Sequence, residues 1–382
     1  MDNFYFQLRN FKNVIIFGLT TSGINVLEGI RKIFKDINIY FCDNDKSKQN
    51  HENDMKCYSV EDAVKIFPDA AFVVISEYYR KEKAQQLIEL GISEGNIVYG
   101  LPKDVSVQIK EDSHKRKIKK LTVQEFHFEI NIVKHCNLNC RGCNHFSPLA
   151  NNDFMAVSII EKDVKRVGEL FNHVASRIFL LGGEPLLHPQ IVEIIKICRK
   201  NFPKTKIHIV TNGILLAKMS ESFWNCCKEH NIVISPTKYP INIDYDSLGE
   251  LADRHGVEYS IFGGTDVCAR TLWFEPIDIQ GQHDVNEEFF QCRQANQCIT
   301  LEKGRLYTCV VPPNIASFNS YFGCDLEVSD EDGIDIYKAE SCEEILEFFT
   351  HPIPFCKYCD WEHHAYDNPW EISRKDIKEW TL

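Results

Sequence analysis

From about Phe126 to residue 285 the chain repeats one unit, a short β-branched run followed by a stretch of helical period. "HFEINIV", "RIFLLGG", "KIHIVTNG", "NIVISPTK" and "EYSIFGG" read as strands; Ser158–Phe171, Gln190–Asn201 and Tyr245–His255 read as helices between them. Strands joined through helices run parallel, because the crossover must carry the chain back to its starting edge. Five or six such units in series predict a parallel sheet that curls into a full or partial barrel, most simply a partial (βα)6 barrel. In sheets of this kind the working residues lie on loops after the C-terminal ends of the strands. Four candidate segments fall there: a cysteine-rich loop after Phe126–Val133, then Gly182–Pro185, Thr211–Gly213 and Ser235–Tyr239.

Residues 1–108 carry a second α/β pattern. The strand Val14–Phe17 runs into a Gly- and Thr-rich turn and a helical stretch, and "INIYFCDND" ends in Asp43, about twenty residues past Gly23. "AAFVVIS" and "NIVYG" continue the series, which predicts a doubly wound, Rossmann-like domain. Gly18 and Gly23 occupy the outer positions of a G-x-G-x-x-G fingerprint, but Thr20 replaces the middle glycine that lets backbone approach a pyrophosphate. The expectation is a docking or recognition domain rather than a dinucleotide site. Residues 109–124 form a charged linker without an apolar period, 125–288 the barrel, and 289–382 a cysteine-rich part with its C-terminal tail.

The net charge of −12 argues against a general nucleic-acid binder. No apolar run approaches the roughly 18–20 residues that span a bilayer, and the first residues lack a signal-peptide core, so a cytoplasmic protein is expected. Sixteen cysteines in such a setting point to metal or redox chemistry rather than disulfides. Isolated ones such as Cys42, Cys57, Cys198, Cys226 and Cys227 read as small buried hydrophobes. The others are clustered.

"KHCNLNCRGCNHFSP" sets Cys136, Cys140 and Cys143 in a C-x3-C-x2-C spacing. A structural zinc site is four-coordinate and closed, and would need a remote fourth ligand such as His135 or His145. A 4Fe–4S cluster tied through three irons leaves its fourth iron open to a small molecule. This loop, after the first strand of a βα barrel, resembles the radical S-adenosylmethionine (SAM) superfamily over residues 126–285. The resemblance implies a 4Fe–4S cluster whose open iron chelates SAM, and reductive cleavage of SAM to methionine and a 5′-deoxyadenosyl radical. In "LGGEP" it implies that Gly182, Gly183 and Glu184 receive the methionine amino group. In "TNG" and "ISP" it puts Asn212 and Ser235 near the ribose or carboxylate. The residue before the third cysteine is usually aromatic in that family; here it is Gly142, and Phe146 stands close enough to take over the adenine contact.

Cys292, Cys309, Cys356 and Cys359 make a second set of four thiolates, suited to 4Fe–4S or to zinc. Cys298 and Cys324 are spare. Gly304 allows a tight hairpin between Cys292 and Cys309. The C-x(9–15)-G-x4-C…C-x2-C order resembles the twitch form of the SPASM domain, which implies an auxiliary 4Fe–4S cluster that handles electrons. The implied function is hydrogen abstraction from a sugar, cyclitol or nucleotide-sugar-type small molecule, ending in a two-electron oxidation and fed by a flavodoxin- or ferredoxin-type donor. The alternatives are peptide maturation, and epimerisation or dehydration of a sugar. Substrate-side candidates are His145, Lys238, Tyr239 and Cys268, the last as a hydrogen-atom donor for epimerisation; His363 and His364 are candidates for tuning the second cluster.

Overall fold

The computed structural model describes residues 3–49, 56–75, 80–99, 121–262 and 272–382. The chain divides into two compact units, Met1–Lys115 and Arg116–Leu382.

The first unit holds a helix α1 (Asn3–Leu8), then β1 (Asn13–Phe17), α2 (Thr21–Ile33), β2 (Asn38–Cys42), β3 (Cys57–Tyr58), α3 (Val60–Ile66), β4 (Ala71–Val74), α4 (Arg80–Glu89) and β5 (Ile97–Tyr99). Its sheet is parallel, in the order β3-β2-β1-β4-β5. Alternation along β1 feeds two cores. Val14 and Ile16 pack with α1 and α2, whereas Ile15 and Phe17 pack with α3 and α4. A strand buried on both faces reads as an unbroken apolar run, as "NVIIF" does. The turn after β1 is committed to its own packing: Thr20 caps α2 by accepting from the Gly23 N–H at 3.2 Å, and Asp43 accepts from the Leu19 N–H at 2.9 Å.

The second unit opens with β6 (His127–Val133), α5 (Val157–Leu170), β7 (Arg177–Gly182), α6 (Ile191–Asn201), β8 (Lys206–Thr211), α7 (Glu221–Glu229), β9 (Ile232–Pro236), α8 (Tyr245–His255) and β10 (Glu258–Tyr259). These five strands pair in sequence order, all parallel. Phe128, Ile130 and Ile132, with Ile178, Leu180, Ile207, Ile209, Ile232 and Ile234, form one core with the helices.

The rest comprises β11 (Leu272–Phe274), α9 (Val285–Gln291), β12 (Thr300–Glu302), β13 (Arg305–Tyr307), α10 (Ile315–Phe322), β14 (Gly333–Asp335), α11 (Cys342–Phe348) and β15 (Ala365–Asn368). It differs from the sequence reading in one respect. Among the described residues there are five parallel βα strands rather than six, and the place beside β6 is taken by β12, which continues through β13 and β14 as one eight-stranded sheet. The edge of β6 would otherwise present unpaired backbone groups, and the short 300–307 hairpin satisfies them. The turn of that hairpin is Lys303–Gly304, with φ of 45° and 79°. Two successive positive φ angles are the backbone of a two-residue hairpin turn, which is why glycine stands at 304.

Candidate functional site

The ends of β6, β7 and β8 are tied together before any ligand is considered. Gly183 donates its N–H to the Val133 carbonyl at 2.7 Å, and Glu184 donates to the His135 carbonyl at 3.1 Å. A Cβ on Gly183 would lie 1.8 Å from the His135 oxygen, so only glycine lets β7 finish against the start of the cysteine loop. Glu184 is fully buried. Its carboxylate accepts from Thr211 Oγ1 at 2.6 Å, from the Asn212 N–H at 2.9 Å and from the Leu186 N–H at 3.1 Å. Burial pushes its carboxyl up to about 7 against the pull of those three donors. Asn212 then reaches the cysteine loop itself, donating from Nδ2 to Asn137 Oδ1 at 2.7 Å and to Cys136 Sγ at 3.6 Å. "GGEP", "TNG" and the cysteine triplet therefore meet at one place.

Cys136, Cys140 and Cys143 lie half-buried on an irregular loop in which Asn139 and Gly142 both have positive φ. Burial pushes the Cys136 thiol up to about 12, with Glu184, Cys143 and Cys140 adding to the rise. Among the described residues no three His, Cys, Asp or Glu side chains already surround one metal-sized point.

The second set lies in one buried region, again without three side chains around a metal-sized point among the described residues. Burial raises the thiols of Cys309 and Cys359, and each is raised further by Cys292 and Cys356. Cys292 ends α9 and Cys356 and Cys359 sit on a turn after α11, so three separated segments deliver these four sulfurs. Cys298 is raised by Cys309 and Cys292 as well, which makes it a fifth thiol beside the set; Cys324 follows the end of α10. Asn144, next to the first loop, and Gln294, between Cys292 and Cys298, both donate to the Glu275 carboxylate.

The remaining sequence candidates fall unevenly. Ser235 is buried on β9 and bonded to His208 Nδ1 at 2.9 Å. Lys238 and Tyr239 are half-buried on the loop after β9, with the Tyr239 ring 5.9 Å from Trp370. His145 is half-buried beside the cysteine loop. Phe146 is 1% exposed and packs against Phe318 and Trp380, so this ring serves an aromatic core. His363 pairs with Asp360 at 2.9 Å, and His364 bonds the Trp361 carbonyl. Cys268 lies outside the described residues.

Sequence reading missed the polar side chains on the sheet face turned away from the helices. Glu129 is buried, held at about 7 by burial, and accepts from Thr300 Oγ1 at 2.9 Å. Asn131 is fully buried with neither amide atom partnered among the described residues. His208, lowered to about 4 by burial, lies 5.2 Å from the Phe179 ring. The signal was present: Glu and Asn at alternate positions of "HFEINIV", and His inside "KIHIVT", are polar residues on the second face of buried strands.

Residues 130–230 match the family model described as the Radical SAM superfamily. The chain is 30% identical over 96 residues to GTP 3',8-cyclase 1 of Mycobacterium tuberculosis (strain ATCC 25618 / H37Rv), covering 23% of this chain and 26% of that one. It is 35% identical over 114 residues to the probable GTP 3',8-cyclase of Methanococcus aeolicus, covering 29% and 35%. The chain thus spans only about a quarter to a third of these relatives' lengths. Among solved structures, BtrN in complex with AdoMet and 2-DOIA is similar at a TM-score of 0.39 and 15% identity, covering 62% of this chain and 93% of that one, a score too low to carry an argument. The matched residues 130–230 are the segment that bears the cysteine triplet, "GGEP" and "TNG", so the likeness to the radical SAM superfamily, enzymes that use a 4Fe–4S cluster and S-adenosylmethionine, rests on the residues that meet at this site.

Proposed function

We propose that this chain is a radical SAM oxidoreductase with two 4Fe–4S clusters, which abstracts hydrogen from a sugar, cyclitol or nucleotide-sugar-type substrate in a net two-electron oxidation. The observation that supports this reading is the meeting of "GGEP", "TNG" and the three-cysteine loop, with Asn212 Nδ2 donating to Cys136 Sγ at 3.6 Å, in the same unit as Cys292, Cys309, Cys356 and Cys359. Thiolates are the donors of an iron–sulfur site, and the irons supply the positive charge that lets buried thiols ionise. Cys136, Cys140 and Cys143 would hold the first cluster; the four others would hold the second. When bound, these groups supply reductive cleavage of SAM to a 5′-deoxyadenosyl radical and an acceptor for the substrate's second electron.

The protein's own part is placement. The Glu184–Thr211–Asn212 knot and the Gly182–Gly183 backbone fix the loop that carries Cys136. Glu129, Asn131 and His208 offer a hydroxyl-rich substrate both donors and acceptors on the inner face of the sheet. The first unit, read as Rossmann-like, is assigned to recognition or docking, since Asp43 is already committed to the turn after β1. A flavodoxin- or ferredoxin-type protein is the proposed electron donor. The likeness to GTP 3',8-cyclases favours a nucleotide as a second reading of the substrate.

The test is anaerobic reconstitution followed by turnover with reductant and a panel of C-deuterated cyclitols, UDP-sugars, GTP and peptides. About eight irons are expected, two sets of four. Cys136, Cys140 and Cys143 replaced together by alanine should leave about four irons and no deoxyadenosine. Cys356→Ala with Cys359→Ala should keep SAM cleavage and lose oxidised product. Oxidation moves one deuterium into deoxyadenosine and lowers the product mass by two hydrogens. A product of unchanged mass carrying a solvent hydrogen would replace oxidation by epimerisation, and turnover of GTP alone would replace the sugar.

A further inference from the structure

The first cysteine loop is held by residues more than two hundred positions away. The segment after β15 returns and lies along it. Cys140 and Ile372 face each other across an isolated antiparallel bridge. Arg141 donates its N–H to the Glu371 carbonyl at 2.9 Å, and Ser373 donates its N–H to the Asn139 carbonyl at 2.8 Å. The Arg141 guanidinium adds an ion pair to the Glu371 carboxylate at 2.8 Å. Farther along, the Trp380 indole donates from Nε1 to the Cys143 carbonyl at 3.0 Å. The contacts thus fall at 139, 140, 141 and 143, the stretch that spaces the second thiol from the third.

That returning segment is itself anchored. Glu379 is 4% exposed, and its carboxylate accepts from Ser373 Oγ and from the Arg374 N–H. Trp380 is 2% exposed among Phe146, Phe318 and Phe322, and its carbonyl accepts from the Ile277 N–H at 2.7 Å. The loop it holds has no regular structure of its own, and Asn139 and Gly142 sit at φ of 54° and 63°. Glycine adopts that region freely, whereas Asn139 is a non-glycine residue in it and is held there by its surroundings.

We propose that residues 371–380 are a positioning strap, which fixes the Asn139–Cys143 backbone so that Cys136, Cys140 and Cys143 keep one 4Fe–4S cluster. The proposal rests on the reading of that triplet as a cluster site. The strap touches the backbone of the first loop directly and reaches the second cysteine set only through Ile277, which bridges to Cys359, so its loss should be felt first and most at one cluster.

Two substitutions test it in the full-length, reconstituted protein. Trp380→Phe keeps an aromatic ring, though a smaller one, and deletes the indole N–H. Ser373→Pro deletes the N–H that reaches Asn139. Iron release to a chelator is followed in each, with the electron paramagnetic resonance spectrum of the reduced protein recorded with and without SAM. Loss of one hydrogen bond of about 1 kcal/mol corresponds to about fivefold, so four irons should leave roughly fivefold faster in Trp380→Phe, and faster still in Ser373→Pro, which also loses the Ser373 Oγ bonds to Glu379 and Lys375, while the other four leave close to the wild-type rate. The SAM-induced change in the spectrum should weaken in step. Equal acceleration of both sets, or of neither, overturns the strap. Hydrogen exchange of the metal-free wild type gives a reading that needs no variant to fold: slow exchange at Arg141 and Ser373 is expected, and fast exchange at both would equally overturn it. Failure of the cluster reading looks different, because the wild type itself would then bind only about four irons, all retained when Cys136, Cys140 and Cys143 are replaced.

Discussion

Two buried carboxyls set the pH behaviour at the scale of single residues. Burial holds both Glu129 and Glu184 at about 7; an unfolded glutamate titrates near 4.3, as a rough reference. Between those values the folded chain keeps protons that the unfolded chain has lost, so the stability these groups contribute is complete below about pH 4.3 and is lost as pH rises to 7. For one carboxyl the loss is of order 3–4 kcal/mol at most. Glu129→Gln removes that group from the balance while keeping an acceptor for Thr300 Oγ1. Urea unfolding at pH 5 and pH 8 should therefore show a smaller fall in the variant than in the wild type, and equal falls would refute the assignment. Thr211→Val, which deletes the 2.6 Å donor to Glu184, should destabilise by about 1–3 kcal/mol in the same assay at pH 8.

Among the elements, the β12–β13 hairpin has the most to lose from a small change. It joins the cysteine-rich part to β6, and its turn depends on positive φ at Lys303 and Gly304. A Cβ at 304 would also stand 2.9 Å from Tyr337 Cε2. Gly304→Ala should cost about 1–2 kcal/mol for the left-handed backbone, with more from the displaced ring. Calorimetry should show a lower melting temperature, and the iron bound by the second cysteine set should fall before that of the first. The strands and helices that this hairpin extends were legible locally. "HFEINIV" is β6 residue for residue, and Tyr245–His255 is α8, begun by Asp244 as N-cap and ended by Gly256 in the left-handed region. The Glu129 and Asn131 that β6 carries on its other face were equally visible in the letters, but an alternating polar residue reads as solvent-facing until the sheet shows both faces buried.

On the scale of the whole molecule, two compact units predict separable unfolding. Thr20→Ala removes the cap of α2 and should cost about 1 kcal/mol in the first unit alone. Fluorescence and iron release followed together in urea should show the first transition moving while iron release stays where it was; a shift of both would mean a single cooperative unit. What the sequence determined by itself was the local and the periodic: the two α/β patterns, the succession of strands and helices, and the spacing of the clustered cysteines. These are set by neighbours within a turn or a strand, where side-chain period and thiol spacing act directly. Only the tertiary structure decided that β12 lies beside β6, that Thr300 meets Glu129, and that Trp380 reaches the Cys143 carbonyl. Those partners stand far apart along the chain, 171 residues for Thr300 and Glu129 and 237 for Trp380 and Cys143. The entropy of closing a loop grows only slowly with its length, so nothing local marks which distant residue will be the partner. The packed core makes that choice.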